Sequence, residues 1–262
     1  MLKIKGGANM DRNKELEGKV AIVTGSARNI GRRTAMELAD AGAAVVINAV
    51  SAKDLCDEVA GEIEEAGGKA IPVLADITKQ EDVDRMTKTT VDAFGGIDIL
   101  INNAAIRTKS HFTELTMDEW IKLREVALDG GFRMSMACVP HIIARGGGSV
   151  VGIHGMSSYT AGPLGAHKSA VKCGMAGMIR GMARDLGKHD ITCNVAVVGR
   201  FETERTGSSG EVEPARTNLD VPMGRNGTPQ DMANLVRFLV GPYSRYISGQ
   251  TIQVNGAAMM PH

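Results

Sequence analysis

Between residues 154 and 168 the chain gathers most of the side chains that could move a proton: His154, Ser157, Ser158, Tyr159, His167 and Lys168. Histidine exchanges protons near neutral pH. A hydroxyl can serve as acid or base once a neighbouring ammonium lowers its pKa. His154 closes the apolar run that starts at Ser149, so it is expected at a strand end. There it is either an acid–base group of a cleft or a hydrogen-bonded structural residue. Tyr159 has Pro163 four residues later, a residue that a helix interior rejects, so it reaches a cleft only through its loop. His167 adjoins Lys168 in a helix-period stretch and points about 100° away from it, which favours packing or an interface.

A second constellation stands near the start. The apolar run Val20–Val23 leads into Thr24-Gly25-Ser26-Ala27-Arg28-Asn29-Ile30-Gly31-Arg32, and a helical period follows to Ala41. A turn that brings backbone N–H groups against a pyrophosphate needs residues that accept positive φ and close approach. Gly25 and Gly31 meet that need, and Asn29, between them, is the best non-glycine residue for the left-handed region. Strand, glycine-rich turn and helix in that order predict a dinucleotide cradle, against the plain alternative of an ordinary βα turn. Arg28, inside the turn, carries a fork of donors suited to a phosphate, or is simply a solvated loop residue.

Elements that position these groups alternate along the whole chain. Short β-branched runs at 20–23, 44–47, 71–74, 97–101, 149–153, 192–198 and 251–254 predict strands. Helical periods at 31–41, 53–66, 80–94, 116–143, 166–187 and 229–240 separate them. The pattern predicts an α/β fold, a Rossmann-type doubly wound parallel sheet of six to seven strands with helices on both faces. Residues 1–17 read as a flexible polar tail and 18–262 as one domain, with the irregular stretch near 200–230 as a substrate lid. In the helix at 166–187, Val171, Met175, Met178, Met182 and Leu186 form a core stripe. Ala170, Gly174, Gly177 and Gly181 form a second, small-residue stripe for helix packing or a subunit interface.

Composition narrows the function. Thirty basic residues balance 30 acidic ones, so no electrostatic footprint for nucleic acid or an anionic membrane is present. The four cysteines lie far apart without a CxxC pair, which argues against a disulfide or metal framework and for a reducing cytoplasm. No run is long and apolar enough to predict a membrane span.

Taken together, Thr24–Gly31, Asp76 in Ala75-Asp76-Ile77-Thr78, Asn102-Asn103-Ala104-Ala105, Lys168, Asn194, Gly199–Thr203 and Ser248-Gly249-Gln250 resemble the short-chain dehydrogenase/reductase family. The likeness is to its 3-oxoacyl-carrier-protein reductase-like branch and runs from about Glu17 to the C-terminus. It implies a nicotinamide cofactor held by Gly25, Arg28, Asn29, Ile30, Gly31, Asp76, Ile77, Asn103, Ala104, Ala105, Lys168, Gly199 and Thr203. Within that set Asp76 would meet the adenine, 103–105 the ribose and Thr203 the carboxamide. Ala49 stands where an NAD enzyme puts an acid for the ribose 2′-OH. NADP(H) is therefore favoured, with Arg28, and Ser51 or Lys53, at the 2′-phosphate; NAD(H) is the alternative. The family's reaction chemistry uses a Ser, a Tyr, a Lys four residues later and an Asn. With the lysine placed at Lys168, the tyrosine falls on Leu164, the serine near Gly155 and the asparagine on Ala127, and the loop before Leu164 comes out about four residues short. The expectation is an NADP(H)-dependent oxidoreductase acting on a small-molecule carbonyl, alcohol or imine through a non-standard relay drawn from Lys168, His154, Tyr159 and Ser157. The alternatives are a cofactor-binding scaffold without turnover, or elimination, hydration or isomerisation in the same cleft. A homo-oligomer, dimer or tetramer, is implied.

Overall fold

Strands covered on both faces need apolar side chains at every position, and β1 (Val20–Val23) and β4 (Ile99–Asn102) are buried throughout. With β2 (Ala44–Ala49), β3 (Lys69–Leu74), β5 (Gly148–Gly155), β6 (Ile191–Val198) and β7 (Thr251–Val254) they form one seven-stranded sheet of order β3-β2-β1-β4-β5-β6-β7. Neighbouring strands all run parallel. The computed structural model describes residues 14–161, 164–203 and 221–260.

One face is covered by α1 (Asn29–Asp40), α2 (Lys53–Glu65) and α8 (Pro229–Val240), with Leu38, Ile63 and Val236 in its core. The opposite face is covered by α3 (Gln80–Phe94), α5 (Gly130–Ala144) and α7 (Ala166–Leu186), with Met86, Met134 and Ile179 in its core. The sheet is thus doubly wound, as the alternation of runs predicts. At the foot of the sheet Asp98 accepts from Lys19 Nζ at 3.0 Å and pairs with Arg145 at 3.2 Å, tying β1 to the start of β5.

The structure corrects the sequence reading of the elements in two places. The expected continuous helix over 116–143 is divided into α4 (Met117–Arg124), a π-helical segment (Glu125–Asp129) and α5. Its apolar period runs through without a break, so the pattern hid the insertion; such bulges are common at functional sites, and this one carries Ala127. The expected tail also ends earlier than residue 17. Leu16 is buried and donates its N–H to Ala41 O at 2.8 Å, and Glu15 pairs with Arg237 at 2.9 Å. Residues 1–13 lie outside the described set, as does the centre of the expected lid at 204–220. A short helix, α6 (Ser157–Thr160), completes the set. No helix among the described residues is long and apolar enough to cross a membrane.

Candidate functional site

β1 and β4 are neighbours whose outgoing connections serve opposite faces of the sheet. In doubly wound sheets ligands bind beyond the strand ends at such a switch point. Here the glycine-rich turn follows β1 and the Asn103–Ala105 segment follows β4. Gly25 and Asn29 take φ values of 63° and 52°. Thr24 Oγ1 accepts from the N–H groups of Asn103 and Ala104, both at 3.0 Å. Asn103 Nδ2 donates to the carbonyls of Thr24 and Gly25 at 2.8 and 3.0 Å. A Cβ on Gly31 would lie 2.3 Å from Gly25 O and 2.5 Å from Asn103 Nδ2, so no larger residue fits the closed turn. From β2, Asn48 Oδ1 accepts from Gly25 N at 3.1 Å, while its Nδ2 donates to Val73 O and Ala75 O.

Helix α1 starts directly from this turn with Arg28 as an extended N-cap. It has neither a side-chain cap nor an acidic residue in its first turn, and free N–H groups at a helix start are what a phosphate takes up. Arg28 is exposed beside them, and β2 ends at Ala49 without an acid. Asp76 follows β3, where its Oδ1 accepts from Thr78 N at 3.0 Å and Thr78 Oγ1 at 2.8 Å; Ile77 beside it is buried. These residues fit a dinucleotide laid across the strand ends.

The other end of that track is a cavity of about 820 Å³. Its wall includes Ile30, Asn103, Ala104, Ala105, Gly199 and Thr203 from the expected cofactor set, together with Ala127, His154, Ser157, Lys168 and Lys172. Lys168 and Lys172 are a turn apart on α7, on one face. Lys172 Nζ donates to Ser157 Oγ at 2.7 Å, and Ser169 Oγ donates to Ser157 O at 2.6 Å, which pins α6 to α7. Burial, then the positive charges of Lys168 and Arg107, bring the Lys172 ammonium down to about 8. Burial, then Lys109 and Arg107, lower Lys168 as well.

His154 is buried, its Nδ1–H donating to Gly155 O at 3.2 Å, while Nε2 has no partner among the described residues. Burial pushes its pKa down to about 4, and Lys172 adds to the effect. The imidazole is neutral at pH 7. Tyr159 is 39% exposed and is not part of the cavity wall. The side chain of Ser158 lies outside the described set. His167 is fully buried, its Nε2 2.6 Å from Thr108 Oγ1.

Leu164 requires a correction. Its expected place is one helical turn before Lys168, on the same face. Helix α7 begins only at Ala166, and Leu164 sits in the preceding turn at φ 57°, 40% exposed and away from the cavity. The group one turn from Lys168 is Lys172, which the sequence reading passed over. Two signals were available. Lys168-Ser169-Ala170-Val171-Lys172 repeats the alanine and lysine spacing of Leu164-Gly165-Ala166-His167-Lys168, so the lysine alone does not fix the family register. The predicted helix start at 166 already left Leu164 outside.

The geometry agrees with known proteins. The family described as enoyl-(acyl carrier protein) reductase matches residues 25–257. A 3-oxoacyl-[acyl-carrier-protein] reductase of Synechocystis sp. is 33% identical over 94% of this chain and 98% of its own length. The FabG 3-oxoacyl-[acyl-carrier-protein] reductase of Vibrio cholerae is 34% identical over 94% and 99%. Among solved structures, a short chain dehydrogenase from Burkholderia cenocepacia in complex with NADP superposes with a TM-score of 0.86 at 31% identity, covering 93% of this chain and 99% of that one. A 7α-hydroxysteroid dehydrogenase complexed with NADH and 7-oxo glycochenodeoxycholic acid gives 0.88 at 29%, covering 94% and 96%. The chain belongs to the short-chain dehydrogenase/reductase family. Its class is that of the nicotinamide-dependent oxidoreductases.

Proposed function

We propose that this protein is an NADP(H)-dependent reductase of a small carbonyl or imine compound, in which Lys168 takes the part the family gives to tyrosine and Lys172 the part it gives to lysine. The observation that carries this reading is the i,i+4 pair on the cavity wall, with Lys172 bonded to Ser157. Moving the family register forward by one helical turn removes the four-residue shortfall in the preceding loop.

Lysine in place of tyrosine is chemically workable. A lysine ammonium and a tyrosine phenol have nearly the same ordinary pKa, about 10. Each can give a proton to an oxygen that gains negative charge as its carbon is reduced. When bound, the nicotinamide supplies the hydride. Lys168 donates the proton and becomes a neutral amine, a change favoured by burial and the adjacent cations. Lys172 keeps positive charge beside the oxygen and, through Ser157, fixes the loop that closes the cavity. Gly155 and Ala127 stand at the family's serine and asparagine positions, and Ser157, on the cavity wall and bonded to Lys172, supplies a hydroxyl for orientation. His154, neutral and held by the carbonyl of Gly155, fixes the end of β5.

At the adenosine end, Ala49 and Arg28 support NADP(H) over NAD(H), and Gly25, Asn29, Ile30, Gly31, Asp76 and Ile77 complete the cradle. We further infer a homo-oligomer in a reducing cytoplasm, a setting that suits four free cysteines, three of them buried.

The test is NADPH oxidation over a panel of ketones, oxo acids and imines. Lys168→Met should lower kcat by about 10²-fold or more, the usual contribution of a general acid, with NADPH affinity unchanged. Tight NADPH binding without turnover of any class would favour the scaffold reading.

A further inference from the structure

An amine attacks a carbonyl carbon only as the free base, so its surroundings decide whether a lysine can be a nucleophile. Lys19, Lys53 and Lys88 are each held by a carboxylate, from Asp98, Asp57 and Asp92, which favours the ammonium. Lys172 instead donates to a neutral hydroxyl, Ser157 Oγ. It shares the cavity wall with Lys168 on the same helix, His154 on β5, Arg107 and Lys109 after β4, and Arg200 and Glu202 after β6. Ammonium groups a turn apart on one helix repel, and both lysines are half-buried. The charged form of Lys172 prevails below about 8 and the amine above it. At neutral pH such a group carries roughly a hundredfold more free amine than a lysine titrating near 10.4.

Room for a reaction partner lies at the nitrogen itself. Gly155 puts no side chain beside Lys172 Nζ. A Cβ there would meet that nitrogen and Val198 O and, among the described residues, nothing else within 4 Å. As a free base, Lys172 can keep one N–H on Ser157 Oγ and still hold a lone pair for attack. Lys168, one turn away, is the neighbouring proton carrier.

We propose that Lys172 condenses with small ketones and aldehydes in this cavity to form an imine, with Lys168 moving the protons. The nitrogen lone pair attacks the carbonyl carbon, and the C=O π electrons pass to the oxygen, which takes a proton from the Lys168 ammonium. The nitrogen then returns a proton to the Lys168 amine. That ammonium protonates the new hydroxyl, water leaves, and the nitrogen lone pair closes the C=N bond. Nothing is oxidised or reduced. One amine, one carbonyl and one ammonium become one iminium, one water and one amine, so positive charge passes from Lys168 to Lys172 with its sum unchanged. The iminium draws electrons from the adjacent carbon and makes its C–H bonds acidic. This is amine catalysis apart from hydride transfer, and no nucleotide takes part.

Cyanoborohydride reads the step directly, because it adds hydride to an iminium carbon and leaves a stable secondary amine. The full chain, without nucleotide, would be treated with acetone and cyanoborohydride at pH 8 and mapped by peptide mass. Lys172 should gain one isopropyl group about tenfold or more faster than the exposed Lys88. Gly155→Ala, which sets a methyl group beside Nζ, should slow that labelling several-fold with the melt unchanged. Lys168→Gln should carry the labelling profile of Lys172 to higher pH, because a neighbouring positive charge is lost. Even labelling of Lys172 and Lys88, a label confined to Lys168, full labelling in Gly155→Ala, or a pH profile that stays in place would overturn the proposal.

Discussion

A Cβ placed on Gly155 would stand 3.0 Å from Lys172 Nζ. The tip of the lysine thus lies against space opened where the family has a serine. Because that tip is the far end of a flexible side chain, Gly155→Ser should be accommodated by a small swing of the ammonium. The melting temperature should stay within about 4 °C of wild type, the range set by roughly 1 kcal/mol in a domain of this size. A larger drop would mean that the strand end itself must move.

Register on α7 can be read from two substitutions. Lys168→Tyr rebuilds a phenol one turn before Lys172, and we expect a gain of about tenfold or more in kcat/KM for a neutral ketone. Leu164→Tyr should not change it, because Leu164 lies in the turn before the helix. Steady-state kinetics on the two variants decides it. Activity gained through Leu164→Tyr would restore the earlier register.

Most of the architecture was open to a sequence reader, since each strand is a short apolar run and each helix after the first turn shows its own period. The cofactor turn was equally plain, because glycine and asparagine are the residues that take the positive φ of Gly25 and Asn29 at least cost. The reacting end was harder. Leu164–Lys168 and Lys168–Lys172 are equally good matches to a five-residue motif, and the helix start and the length of the preceding loop separate them. Arg107 and Lys109 went unnoticed because a loop carries no period, and their approach to α7 depends on a contact between residues 108 and 167.

Cofactor choice should follow Ala49 and Arg28. Fluorescence titration is expected to give tighter NADPH than NADH binding. Arg28→Ala should weaken NADPH by about tenfold, one charge-assisted contact, and leave NADH nearly unchanged. Equal losses for both would move Arg28 from the 2′-phosphate to the pyrophosphate.

His154 sets a pH dependence of stability. Its folded-state pKa of about 4 lies below the ordinary value near 6.5. Between those values the unfolded chain binds more protons than the folded one, so stability rises with pH across that window. Denaturant melts at pH 7 and pH 5 should show wild type losing stability on acidification. His154→Asn should lose less. An identical slope in the two proteins would place the acid sensitivity elsewhere.

Assembly can be probed on the outer face of α7. Cβ atoms at Gly177 and Gly181 would meet nothing within 4 Å, whereas one at Gly174 would press on Leu128. Gly177→Leu should therefore leave the protomer's melt nearly unchanged. Light scattering should nonetheless show weaker association, because a branched side chain prevents close helix approach. Unaltered assembly would remove this stripe from the interface.

The hydrogen bonds around Thr24 also order events as the chain is made. Asn48 meets Gly25 across 23 positions, but Asn103 and Ala104 reach Thr24 only across 79 and 80. A nascent chain that has emerged as far as β3 can zip β1, β2 and β3 together yet lacks the strand that locks the glycine-rich turn. Affinity for the dinucleotide is therefore acquired only when β4, ending at Asn102, docks beside β1, so free cofactor in the cell can stabilise the sheet from its fourth strand onward but cannot template β1, β2 and β3.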